Sequence, residues 1–184
     1  MIRLLDRHWL LTSTTYGTWL PGDVRGFVSP APVDDGLRLE LHNIPGTPFD
    51  ADMPALVQGA RARLKGKPVF FNRQQADLII RQLRETAEYR EWHLLAASIM
   101  RNHIHIVVSV PGDPPPQTLL QSFKSYASRA LNKQWPRPEN DTWWTESGSK
   151  RKLPNETAVK LAVRYTYHQH GWLARTAFAP GCAD

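Results

Sequence analysis

The run Arg101-Asn102-His103-Ile104-His105-Ile106-Val107-Val108-Ser109-Val110 constrains the fold more than any other part of the chain. β-Branched side chains lose rotamer freedom in a helix and suit a pleated strand. Residues 92–100 have the same character, and Arg101-Asn102 allows only a tight connection, so residues 92–110 predict an antiparallel hairpin. Residues two apart on a strand share a face. His103 and His105 therefore stand side by side, while Ile104, Ile106 and Val108 face a core. Neutral imidazole is the commonest metal-binding side chain, and a strand carrying two of them leaves the rest of a coordination sphere for other groups. That suits a metal-assisted reaction on a phosphate.

The remaining elements follow from periodicity. Residues 9–16 are rich in β formers and read as a first strand, ending in the turn-rich Gly17-Thr18-Trp19-Leu20-Pro21-Gly22-Asp23. Residues 24–70 hold no apolar period for long and read as an irregular insertion, with a short helix over 54–64. Asn72 and Gln75 form a capping-box pattern, and Ala76, Ile79, Ile80, Leu83 and Ala87 recur at helical spacing, which predicts a helix over 73–89. The prolines at 114–116 prime a second helix ending near Gln134, with a buried stripe of Leu119, Leu120, Phe123, Tyr126, Ala127, Ala130 and Leu131. Its polar face carries Gln121, Lys124, Ser125, Ser128 and Asn132. Residues 142–145 predict a short strand and Ser149-Lys150-Arg151-Lys152 a basic loop. Asn155 caps a last helix running through His170, closed by Gly171. The order β-α-β-β-α-β-α is that of an α+β, ferredoxin-like split βαβ core, an antiparallel sheet with helices on one face, plus a C-terminal helix. One domain over residues 1–184 is the expectation at this length.

Composition narrows the partners. A net charge of +6 and an isoelectric point near 9.7 favour a polyanion. Cys182 is the single cysteine, which excludes a disulfide framework and a cysteine-rich zinc site. No apolar run approaches a membrane span and the first residues lack a signal-peptide core, so a cytoplasmic protein with no membrane partner is expected, nucleoid-associated if its polyanion is DNA.

The last helix contains Arg164-Tyr165-Thr166-Tyr167-His168-Gln169-His170. Tyr165 and Gln169, four apart, share a helical face. Opposite the histidine pair they form a nucleophile beside a third metal ligand, and a phenol can attack a phosphodiester to give a covalent intermediate. Tyr167 and Tyr126 compete as nucleophile. Tyr126 belongs to the apolar stripe, and Tyr167 has Gly171 where a ligand would stand. His168 and His170 flank Gln169 and are alternative ligands.

Together these segments resemble the HUH-type single-tyrosine transposases, and among them the REP-associated tyrosine transposase group. The resemblance rests on His103-Ile104-His105, on Tyr165 with Gln169, on Phe123-Lys124-Ser125 in the preceding helix, and on the opening Tyr16-Gly17-Thr18-Trp19-Leu20-Pro21-Gly22-Asp23. It covers roughly residues 8–22 and 92–172. Relatives often carry Pro where this chain has Arg101. The resemblance implies a DNA strand transferase and endonuclease that cleaves and rejoins single-stranded DNA through a 5′-phosphotyrosine. It implies Tyr165 as nucleophile, His103, His105 and Gln169 as ligands of Mg²⁺ or Mn²⁺, a DNA hairpin next to the cut site, and a homodimer. Lys124, Arg129, Lys150, Arg151 and Lys152 are the candidate DNA contacts. Two other classes fit part of the pattern: a non-catalytic single-strand-binding module of the same fold, and a metal hydrolase with no tyrosine adduct.

Overall fold

The computed structural model describes residues 5–23 and 54–177. Most of the expected irregular insertion, residues 24–53, lies outside the described residues. The elements are β1 (Arg7–Thr14), α1 (Pro54–Ala62), α2 (Arg73–Tyr89), β2 (His93–Met100), β3 (His103–Val110), α3 (Pro116–Asn132), β4 (Ser149–Lys152), α4 (Glu156–Tyr167) and β5 (Trp172–Ala177). The sheet runs β4-β1-β3-β2-β5 with every neighbouring pair antiparallel. Strands β1 and β2 run the same way with β3 between them, which is the split βαβ order.

The predicted hairpin is present, with Ile99 opposite Ile104 and Ser98 opposite His105. Helix α2 starts as its capping box dictates: Asn72 accepts from the backbone N–H of Gln75, and the Gln75 side chain accepts from the N–H of Asn72. Ile79, Leu83, Leu119, Phe123 and Leu131 from α2 and α3 share one core with Leu11, Ile104, Ile106 and Val108. The other face of the sheet offers Leu95, Ala96 and Val107 to Val159, Ala162 and Val163 of α4. Two helices thus cover one face, and α4 alone covers the face that carries His103 and His105.

Three expectations change. Trp144 makes only an isolated bridge to Thr15, so residues 142–145 are not a strand; the fourth strand is the basic segment 149–152. The reason lies in burial. Trp143 and Trp144 are buried against Phe71, whereas charged side chains suit a sheet edge, where one side stays wet. Helix α4 stops at Tyr167 rather than His170. Gln169 Nε2 donates to Tyr165 O at 3.1 Å and Arg175 donates to Tyr167 O at 2.7 Å, so side chains from beyond the helix take its last carbonyls. The chain then turns through Gly171 at φ +72° into β5, a short edge strand made by pairing with β2. Tyr126, finally, is only partly buried, with the Arg129 guanidinium 5.1 Å from its ring centroid, so it is not part of the fully buried stripe.

Candidate active site

A polar row crosses the sheet beneath α4. Ser149, Thr12, His105, Ser98 and Arg175 are successive cross-strand partners from β4 to β5. His105 is 7% exposed and lies at its centre. The His103 ring centroid is 5.1 Å from that of His105, and the Tyr165 ring meets His105 edge-on at 5.4 Å. Tyr165 is 52% exposed, so the phenol reaches solvent while its ring rests on the imidazole. The structure therefore brings together both histidines and the tyrosine of one chain.

The second atoms of the imidazoles are engaged. His103 Nδ1 is 2.7 Å from Asn102 Oδ1; a carboxamide oxygen only accepts, so Nδ1 carries the proton and Nε2 keeps its lone pair. His105 Nδ1 is 2.8 Å from Thr12 Oγ1; with the hydroxyl accepting, Nε2 of this ring also keeps its lone pair. Metal-binding histidines are oriented by such bonds on the other nitrogen. Burial, and next the charge of His103, lowers the His105 pKa from 6.5 to about 4, so the ring is neutral at pH 7, the form that ligates metal. Among the described residues no group of three His, Cys, Asp or Glu gathers to hold a metal; the paired imidazoles offer two nitrogen donors, which suits a cation that takes its other ligands from a carboxamide, water or phosphate. Thr12 was not legible in the sequence, because its role exists only through the β1–β3 register.

The same shift sets a pH dependence of the metal-free protein. Between pH 6.5 and about 4 the unfolded chain holds the His105 proton and the folded one does not. Stability is full above that window, falls through it on acidification by on the order of 3 kcal/mol, and levels off below. Denaturation of wild type and His105→Gln across pH 4–7 checks this; parallel curves for the two would contradict it.

Gln169 is not on a helical face with Tyr165, because α4 has already ended; its Nε2 folds back on the Tyr165 carbonyl and Oε1 remains for other partners. The candidate DNA contacts are scattered. Lys124 is 5% exposed rather than on a solvated face, and its ammonium donates to the carbonyls of Thr145, Glu146 and Ser147. Burial and the neighbouring Lys150 lower its pKa to about 8, so it stays charged at neutral pH. Ser128 and Asn132, one and two turns on, accept from the indole N–H groups of Trp144 and Trp143. Helix α3 thereby grips residues 143–147, whose Thr145 in turn bonds Thr14, the partner of His103. Replacing Lys124 by Met is expected to cost about 2 kcal/mol, since three carbonyls lose a charged donor; an unchanged thermal midpoint would contradict it.

Strand alternation divides the basic run. Lys150 and Lys152 stand opposite Leu11 and Trp9, core residues of the α3 side, and Lys150 donates to Gln117 of α3. Arg151 stands opposite Leu10, on the side of α4 and the histidines. Arg129 is on the outer surface of α3. Of the candidate DNA contacts, only Arg151 shares a sheet face with the histidines.

Residues 62–152 match the model of a family described as "Transposase IS200 like". No curated protein matches the sequence. Among solved structures, the chain is similar to a REP-associated tyrosine transposase bound to a REP hairpin, with 11% identity, TM-score 0.45, and coverage of 91% of this chain and 69% of that one. It is also similar to a candidate transposase from Deinococcus radiodurans R1, with 14% identity, TM-score 0.45, and coverage of 93% and 99%. Both likenesses are loose.

Proposed function

The chain belongs, over residues 62–152, to the IS200-like transposase family, and from that premise we propose that it cleaves and rejoins single-stranded DNA through Tyr165. One observation carries this reading: a solvent-reaching phenol rests on a buried, neutral imidazole of a histidine pair. A Mg²⁺ or Mn²⁺ ion held by His103, His105 and Gln169 Oε1 would supply positive charge to polarise the scissile phosphate. Tyr165 Oη attacks the phosphorus, the bond to the 3′ oxygen breaks, and that oxygen takes up a proton in place of the one the phenol loses. The products are a 5′-phosphotyrosine and a free 3′-hydroxyl. Because one phosphoester replaces another, a second 3′-hydroxyl can reverse the step without ATP. The histidine pair and the tyrosine come from one chain, so a homodimer is not required to assemble them.

Thr12 and Asn102 hold the imidazoles in register, and Arg175 holds the end of α4. The Arg175 guanidinium packs 4.1 Å from the centroid of Tyr167 while donating to the carbonyl of that residue. The ring of Tyr167 is thereby held at the helix terminus, which supports Tyr165, whose ring meets His105, as the nucleophile. No helix among the described residues is long and apolar enough to cross a membrane.

The reading is tested by incubating the protein with single-stranded DNA from the flanks of its own gene, with Mg²⁺ or Mn²⁺, followed by a denaturing gel. A label on the 3′ side of the cut should migrate with the protein, and a label on the 5′ side should be released. Cleavage with neither label retained would identify a hydrolase, and binding without cleavage a non-catalytic module. The sheet geometry adds a second expectation. Arg151→Ala should weaken binding to the cleaved strand and flatten its salt slope by about 0.7. Lys150→Ala and Lys152→Ala, on the other face, should leave both almost unchanged; equal losses from all three would show that strand alternation does not sort the contacts.

A further inference from the structure

Phe70 is a large apolar side chain held in solvent by a rigid backbone. Its neighbours Val69 and Phe71 are buried in the core, and their N–H groups donate to Tyr16 O at 2.9 Å and Arg101 O at 2.8 Å. An extended chain anchored on both sides sends the middle residue outward, and Phe70 is 50% exposed. The Arg101 guanidinium lies 5.2 Å from its ring centroid. Among the described residues no carboxylate pairs with Arg101. Arg101 occupies the β2–β3 turn, and the next residue, Asn102, orients His103. An exposed aromatic face and a cation with no carboxylate partner among the described residues thus stand at the turn from which the histidine strand starts.

We propose that Phe70 and Arg101 form a stacking subsite for one unpaired base of the DNA strand whose phosphate reaches His103, His105 and Tyr165. The inference rests on the strand-transfer reading and adds to it where the flanking nucleotide sits. Single strands bind by combining cations along the backbone with aromatic faces under the bases, and every base has a face to stack. A guanidinium on one side of Phe70 orders the ring, while its N–H edge remains available to a phosphate. The positive charge of Arg101 and its place at the turn that leads into the histidine strand select single-stranded DNA as the occupant.

The test uses the full chain and single-stranded oligonucleotides carrying 5-iododeoxyuridine at successive positions around the cut, with photocrosslinks mapped by mass spectrometry. One position should crosslink to Phe70. Phe70→Leu should weaken binding about tenfold, and Arg101→Ala should lower the salt slope by about 0.7. Crosslinks confined to other residues, together with an unchanged affinity of Phe70→Leu, overturn the subsite. Crosslinking of Phe70 by RNA but not by DNA of the same sequence overturns the occupant. The covalent adduct separates the two readings. An adduct at wild-type rate in Phe70→Leu removes the subsite alone, and a Phe70 crosslink without any adduct removes strand transfer alone.

Discussion

Replacing Tyr165 by Phe is expected to abolish the covalent protein–DNA adduct, a fall of about 10⁴-fold or more, while single-strand binding and stability stay nearly unchanged. The substitution deletes one oxygen. The ring keeps its edge contact with His105, and a side chain that is half exposed contributes little to packing. Tyr167 is a poor substitute, because its ring packs against both the Arg175 guanidinium and the His168 ring while that of Tyr165 meets His105. Tyr167→Phe should accordingly form the adduct at close to the wild-type rate. The comparison is read on a denaturing gel with end-labelled single-stranded DNA. An adduct that survives in Tyr165→Phe and vanishes in Tyr167→Phe would reassign the nucleophile.

Gly148→Ala is expected to destabilise the fold by about 3 kcal/mol and to reduce strand transfer as well. A Cβ at this position would meet the carbonyl oxygen of Thr12 at 2.4 Å and Leu120 Cδ2 at 2.7 Å. The requirement is space and not an unusual backbone angle. Thr12 cannot yield, since its backbone is paired on both sides and its hydroxyl is bonded to His105 Nδ1. Leu120 is fully buried between α3 and the sheet. Relief must come from moving β4 off β1, which would also disturb Thr12 and the imidazole it holds. Thermal or denaturant unfolding checks the stability loss, and adduct formation below the unfolding transition checks the second effect. A variant as stable as wild type would show that the edge strand has slack absent from this packing.

The parts of this account visible in the sequence are those with strong local signals. The β2–β3 hairpin, the capped helix α2 and the cap of α4 at Asn155 each announce themselves within a few residues. Tyr165 was reachable because a residue on a helix facing the sheet keeps its register over the whole helix. The parts that were hidden depend on contacts between distant segments. Residues 149–152 look like a loop by charge, yet they become β4 because β1 offers a free edge and the tryptophans before them are drawn into the core. β5 has no clear alternation and exists through its pairing with β2. Lys124 looks solvated on a polar helix face until residues 145–147 arrive to cover it. Gln169 fits a helical spacing that ends at Tyr167, and only the contact of Arg175 with the last turn reveals why.

The most direct measurement is to trap the protein on single-stranded DNA, trim the DNA with nuclease, and locate the modified residue by peptide mass mapping. A nucleotide joined through its 5′-phosphate to the Tyr165 oxygen is the result expected from a phenol resting on the paired imidazoles. A nucleotide on any other residue, or cleaved DNA with an unmodified Tyr165 at every time point, would contradict it.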